Sequence, residues 1–144
     1  MFGKLISYLD GLFEKKVILN ANKGRYCVVE RSNKAMGNLG EYLICDVGSL
    51  IDFDIKFLND PEWPETQSNW CVLEKEGDMV RMFDFLTEER FQPYPVPDNQ
   101  ILRIKNSELQ KLLYQWRDIL LRDSLPRQIR ITEKRGVFEM EAIE

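Results

Sequence analysis

Pairs of short apolar segments, each pair separated by a turn that contains glycine, occur three times along the chain. The paired segments are 17–19 and 25–30, 70–73 and 79–85, and 129–131 and 138–140. The turns between them contain Gly24, Gly77 and Gly136. Two extended segments joined in this way are typical of a β-hairpin, in which the strands run antiparallel. Long crossovers between the segments are few, so the sequence predicts an α+β fold with a largely antiparallel sheet.

Two segments have the periodicity of an amphipathic helix instead. Apolar residues between Phe2 and Phe13 form one stripe and predict a helix over 2–15, with a membrane-surface anchor as the weaker alternative to packing on the sheet. A longer helix is predicted over 107–123, with a capping box formed by Ser107 and Gln110 at its start. Its buried stripe consists of Leu109, Leu112, Leu113, Trp116, Ile119 and Leu120.

The rest of the chain gives further predictions for local structure. Segments 42–47, 51–57 and 101–104 are predicted as strands, 32–40 as a loop, and 59–64 as irregular structure broken by two prolines. The alternation in 51–57 indicates a half-buried strand, although Leu50, Phe53 and Phe57 also fit helical spacing. With 144 residues and 44% hydrophobic residues, two helices and roughly seven strands are expected to form a single domain over 1–144.

Common catalytic arrangements are missing from the sequence. There is no histidine, and the eight glycines form neither a phosphate-binding loop nor a nucleophile elbow. Cys27, Cys45 and Cys71 are far apart in apolar segments, which favours three buried or half-buried thiols over a disulfide or a metal site. We therefore expect no cofactor, no metal and no catalytic residue, and a non-enzymatic protein.

Asp52 and Asp54 are the one carboxylate pair that suggests catalysis. In a strand, residues two apart face the same side, so the two carboxylates could share a cation as in metal-dependent transferases. A small carboxylate or metal-dependent enzyme is thus the alternative function. An ordinary solvated surface explains so short a motif better.

Charge segregation is the most informative functional feature. Residues 46–89 contain twelve acidic residues and three cations, a net charge of −9 in a chain whose total is −4. Such a surface would steer a basic partner, with tryptophans as anchors. Simple solubilisation of a β-rich region is the competing explanation. The candidate partner-binding residues are Asp52, Asp54, Asp60, Glu62, Trp63, Glu65 and Trp70.

Other partners are less consistent with the sequence. Cations are frequent after Arg103, but acids are interleaved among them and the aromatic residues of a single-strand binder are missing, so direct nucleic-acid binding is not expected. No apolar stretch is long enough for a membrane span, and Lys4 and Asp10 interrupt the only candidate targeting signal. We expect a cytoplasmic protein that binds another protein and no small-molecule ligand.

In segment 101–116, the extended apolar residues Ile101-Leu102-Arg103-Ile104 lead into a Leu-rich helix that contains Trp116. This pattern resembles small immunity proteins of bacterial polymorphic-toxin and contact-dependent growth inhibition systems. It covers about twenty residues and implies a small, cytosolic antitoxin that neutralises a cognate toxin, often a basic nuclease, by direct binding. An accessory subunit of a larger assembly, with the N-terminal helix as its interface, is a further alternative.

Overall fold

Two four-stranded antiparallel sheets organise the protein, whose computed structural model describes residues 13–47, 51–85 and 95–144. The described strands are β1 (Lys15–Asn22), β2 (Arg25–Arg31), β3 (Glu65–Gln67), β4 (Cys71–Glu76), β5 (Met79–Asp84), β6 (Leu102–Lys105), β7 (Gln128–Lys134) and β8 (Val137–Ile143). The described α-helices are α1 (Lys34–Glu41), α2 (Ile51–Asn59) and α3 (Asn106–Leu120). The predicted α+β class with antiparallel pairing is confirmed.

Sheet A has the strand order β2-β1-β7-β8, so an early and a late hairpin meet at its centre. The turn of the first hairpin has positive φ at Lys23 (53°) and Gly24 (84°), and that of the second at Arg135 (53°) and Gly136 (81°). Positive φ at both turn residues is what a two-residue type I′ hairpin requires. Both hairpins predicted from their turn residues are therefore confirmed.

Sheet B is a meander with the order β3-β4-β5-β6. Gly77, with φ of 59°, begins the tight turn between β4 and β5, as predicted. One face of the sheet contributes Leu73, Met82 and Ile104 to the main core. The other face holds a smaller cluster of Val72, Phe83 and Ile101.

Three predictions for the segment between β2 and β3 are wrong. The glycine-rich segment 32–40 is mostly helix α1, whose first turn is capped by Asn33, with Oδ1 accepting the Met36 N–H at 2.8 Å. The predicted strand 42–47 is a π-helical segment (Tyr42–Val47), and the predicted strand 51–57 lies in α2. In both cases tertiary burial decided between two periodicities that a short apolar run leaves open.

Gly37 and Gly40 explain why a glycine-containing segment is helical here. A Cβ on Gly40 would lie 2.9 Å from Val28 Cγ2 and 3.0 Å from Val17 Cγ2, so α1 packs directly on sheet A. A Cβ on Gly37 would meet only the side chain of Arg31, at 2.6 Å from Cδ. Close approach to the sheet thus requires glycine at position 40.

Substitution of these two glycines should separate packing from helix propensity. Gly40→Ala is expected to lower the free energy of unfolding by about 1–2 kcal/mol, because overpacking exceeds the gain in helix propensity of roughly 1 kcal/mol. Gly37→Ala should be close to neutral, since the exposed Arg31 side chain can move away. Urea denaturation of the two variants measures the difference, and equal effects would contradict direct packing of α1 on the sheet.

The long helix α3 begins one residue earlier than predicted, and the predicted capping box does not form. Lys105 occupies the N-cap position without a side-chain hydrogen bond. Asn106 instead anchors the helix start, with Nδ2 donating to the Leu58 carbonyl at 2.8 Å and Oδ1 accepting from Gln110 Nε2 at 2.6 Å. Five of the six predicted stripe residues are buried, namely Leu109, Leu112, Leu113, Trp116 and Ile119, whereas Leu120 is half-buried against the core.

The predicted N-terminal helix over 2–15 lies almost wholly outside the described residues. Its last predicted residue, Lys15, begins β1. Within the described ranges, no helix has the length and apolar character to span a bilayer.

Candidate functional site

Helix α2 presents an aromatic cluster at the surface. Phe53 and Phe57 are four residues apart and so lie on the same side of the helix, where both contact Trp63. The ring centroids are 5.1 Å apart for Phe53–Trp63 and 5.3 Å for Phe57–Trp63, with nearly perpendicular rings. Phe57 is buried and Trp63 half-buried, whereas Phe53 keeps 47% of its surface exposed. Edge-to-face packing therefore holds an exposed phenylalanine in a fixed place.

The turn that carries Trp63 is fixed by its own hydrogen bonds. Asp60 Oδ1 accepts the Glu62 N–H at 2.9 Å, and the Asp60 carbonyl accepts the Trp63 N–H at 3.2 Å. The Lys75 ammonium donates to the carbonyls of Phe57 and Asp60 and lies 4.4 Å from the centre of the Phe57 ring. A cation at this place stabilises the C-terminal end of α2 and keeps the turn beside the helix.

We define the α2 surface as Asp52, Phe53, Asp60, Glu62 and Trp63. Asp52 and Glu62 are exposed and Asp60 is half-buried. In the sequence, Asp52 precedes Phe53, and Asp60 and Glu62 shortly precede Trp63. The structure therefore gathers four of the seven predicted partner-binding residues, together with Phe53, which sequence reasoning did not select. The alternating pattern of 51–57 assigned Phe53 to the inner face of a strand, which concealed its exposure.

Helix α3 adds two residues beside the α2 surface that no local sequence signal indicated. Arg117 Nη1 lies 3.5 Å from Asp52 Oδ1, and its guanidinium is 5.0 Å from the centre of the Tyr114 ring. Tyr114 is 41% exposed. Tryptophan, tyrosine and arginine are the residue types that dominate binding energy at protein interfaces.

Asp54 is not part of this surface, which corrects its prediction as a partner-binding residue. Residues two apart on a helix point to nearly opposite sides, so Asp52 is exposed and Asp54 is only 2% exposed. The two carboxylates therefore do not form the shared cation site predicted for a strand. Asp54 Oδ1 and the Tyr42 hydroxyl are buried, and neither makes a hydrogen bond of good geometry. Desolvation raises the pKa of Asp54 to about 6, and the nearby Tyr42 hydroxyl opposes the shift only in part.

Trp70 and Glu65 also lie apart from the α2 surface. Trp63 precedes β3 and Trp70 lies in the turn after it, so the two tryptophans are at opposite ends of this strand. Trp70 lines a cavity of about 250 Å³ with Val28, Arg31 and Glu41 among its other walls. Glu65 is exposed on β3, opposite Glu74 of β4. Trp70 is therefore not part of the aromatic cluster that Trp63 forms with Phe53 and Phe57.

The acidic segment does not form a single surface. Asp46, Asp54 and Asp84 are buried. Asp46 accepts the backbone N–H groups of Trp70 at 2.7 Å and Cys71 at 2.8 Å, while Lys34 lies 3.4 Å from Asp84 Oδ2. Desolvation raises the pKa of Asp46, although these backbone hydrogen bonds act against it. At least these three carboxylates organise the interior rather than attract a partner.

The cysteines differ from the sequence prediction as well. Cys27 and Cys45 are exposed, whereas Cys71 is buried, and all three are free thiols. Burial, followed by the charge of Asp46, raises the pKa of the Cys71 thiol strongly, which makes it a poor nucleophile at neutral pH. Within residues 13–47, 51–85 and 95–144, no group of three or more cysteine or carboxylate side chains is placed to hold a metal ion.

Comparison with known proteins gives no match. No family model, no curated protein and no solved structure is significantly similar to this chain.

Proposed function

We propose that this protein is a non-enzymatic binding protein of the immunity type, which neutralises a basic toxin domain through its α2 surface. The observation that carries the proposal is the Phe53–Trp63 pair, exposed at Phe53 and half-buried at Trp63, which is held in place and bordered by Asp52, Asp60 and Glu62. Desolvated aromatic anchors within a charged rim are the usual anatomy of a tight protein interface.

The charge of the rim favours a cationic partner. Among residues 13–47, 51–85 and 95–144, Glu62 has no ion-pair partner, and Asp52 is exposed apart from its contact with Arg117. Both carboxylates remain hydrated and able to attract cations at a distance, which raises the association rate more than the final affinity. The aromatic pair would then supply most of the affinity at the centre of the contact.

Charge reversal and truncation should therefore act on different rate constants. Asp52→Lys combined with Glu62→Lys is expected to slow association with the toxin domain by about tenfold or more, mainly at low salt. Trp63→Ala should speed dissociation and weaken binding by roughly 30-fold or more. Surface plasmon resonance measures both rates with a basic toxin domain that affinity purification recovers with this protein.

Asp123→Lys is the control for charge reversal, because Asp123 is exposed and follows Arg122, whose side chain pairs with Glu144 after β8 and not with α2. It should leave association nearly unchanged. Circular dichroism should show that every variant keeps its fold. Unchanged association in the double charge-reversal variant, or equal slowing by Asp123→Lys, would contradict a role for the α2 surface.

A further inference from the structure

Strand β8 is the edge of the described sheets that keeps a long, regular backbone for pairing with another chain. Among the edges of the described sheets, β3 has three residues and β6 has four, which leaves little backbone to pair. The β2 edge is interrupted by a register shift opposite Ile18 and Leu19. Strand β8 has seven residues in continuous register with β7 and contains no proline. Shortness, a bulge and proline are three of the common devices that protect an edge, and β8 uses none of these three. Its protection consists of the charged side chains of Glu139 and Glu141.

The register shows which groups of β8 face outward. The two-residue turn makes Lys134 and Val137 a hydrogen-bonded pair, so residues 139, 141 and 143 also bond to β7. The peptide groups of Phe138, Met140 and Ala142 must then point away from β7. Phe138 confirms this, because its N–H donates to Glu108 Oε2 on α3 at 3.1 Å. The outward peptide groups of Met140 and Ala142 bond to no other backbone group within the described part of the chain.

Helix α3 places a row of polar side chains along this edge. Glu108, Gln115 and Arg122 are seven residues apart, so they lie on one side of the helix. The row begins at Phe138 and ends at Glu144, which lies 3.1 Å from Arg122 Nη1. Gln115, midway along the row, has a buried Oε1 without a donor. The middle of the edge thus has backbone groups, those of Met140 and Ala142, that no described backbone group pairs with.

The side chains of β8 discriminate between possible partner strands. Glu139 and Glu141 are exposed on the outer face and form no ion pair with another residue in the described part of the chain. An antiparallel pair of two β8 strands centred on Met140 would place Glu139 of one copy opposite Glu141 of the other. Like charges directly opposite destabilise a strand pair, whereas opposite charges stabilise it.

We propose that β8 is a docking strand, which accepts an extended segment of a partner protein with lysine or arginine facing Glu139 and Glu141. The segment would bond through the outward peptide groups of Met140 and Ala142 and extend sheet A by one strand. This site is separate from the α2 surface, because Gln110 and Arg117 of α3 contact α2 while Glu108 and Arg122 contact β8. The inference therefore does not depend on the proposed function.

A capped peptide of alternating threonine and lysine tests the proposal, with an alternating threonine–glutamate peptide as the control. Backbone amide exchange of the full-length protein is followed by NMR. The lysine peptide should slow exchange at Met140 and Ala142 by about tenfold or more at saturation and leave Ile131, in the centre of the sheet, unchanged. The glutamate peptide should slow neither.

Two variants keep the test decisive. Ala142→Pro removes an outward N–H without breaking the β7–β8 ladder, and it should abolish the protection. Glu139→Lys with Glu141→Lys should transfer binding from the lysine peptide to the glutamate peptide, which also covers the case in which the proline variant fails to fold. Absence of protection by the lysine peptide, or protection that appears only with self-association in ultracentrifugation, would overturn the proposal.

Discussion

Replacing Asp54 with asparagine is expected to raise the free energy of unfolding by about 2 kcal/mol at about pH 7.5. The carboxylate is buried beneath α2 with Oδ1 lacking a hydrogen bond, and desolvation raises its pKa to about 6. At neutral pH the folded protein therefore holds a charge that water would solvate better. An asparagine of the same shape removes this charge, and its amide can donate to the Tyr42 hydroxyl.

The pH dependence identifies the cause. Because the folded pKa of Asp54, about 6, lies above its unfolded value of about 3.9, its stabilising contribution is complete below about pH 4 and is lost as the pH rises through 6. Urea denaturation of wild type and Asp54→Asn should give a gap that is small near pH 4 and constant above about pH 7. Asp52→Asn, exposed on the same helix, is the control and should change stability by less than about 0.5 kcal/mol. A gap that does not vary with pH would contradict the buried-charge explanation.

Replacing Asp46 with alanine should have the opposite effect and lower the free energy of unfolding by about 3 kcal/mol. Asp46 accepts the N–H groups of Trp70 and Cys71, and the Cys71 side of this contact is buried. The alanine variant leaves both donors without an acceptor at the start of β4. Asp46→Asn keeps one carbonyl oxygen and should fall between wild type and alanine.

Thermal and urea denaturation of the Asp46 and Asp54 variants therefore form one comparison. Both asparagine substitutions remove one negative charge from the acidic segment. If net charge governed stability, both would shift it in the same direction. We expect Asp46→Asn to lower the free energy of unfolding and Asp54→Asn to raise it. Both oxygens of Asp46 accept backbone N–H groups, whereas Asp54 Oδ1 accepts none.

The hairpins could be predicted from the sequence because their information is local. A glycine-containing turn between two apolar segments fixes both the turn and the pairing of its neighbours, as at Gly24 and Gly136. The α1 segment could not be predicted in this way, since Gly37 and Gly40 resemble loop residues until the sheet beneath them is known. For 51–57, helical and strand spacing both fitted, and only packing against α3 and Trp63 selected the helix.

The candidate site was predictable to the extent that it is continuous in sequence. Asp60, Glu62 and Trp63 lie in one proline-bounded turn, and the structure keeps them together. Asp54 was wrongly predicted to be exposed, because a strand with a period of two places it on the same outer face as Asp52, whereas in the helix it is buried. Tyr114 and Arg117 belong to α3, which is distant from α2 in the sequence. Only the tertiary contact between Arg117 and Asp52 brings them beside the α2 surface.

The central pairing of sheet A also bears on how the chain reaches its native state. Lys15 lies opposite Glu133 and Asn20 opposite Gln128, whereas sheet B and α2 come from one continuous stretch, 51–105. Pairing between distant segments is slow because a long loop must close first. During synthesis, the first hairpin must wait for β7 to emerge, with the apolar side chains of Val17 and Leu19 uncovered in the meantime. We therefore expect sheet B to form first and the waiting hairpin to be the segment that most needs protection by chaperones.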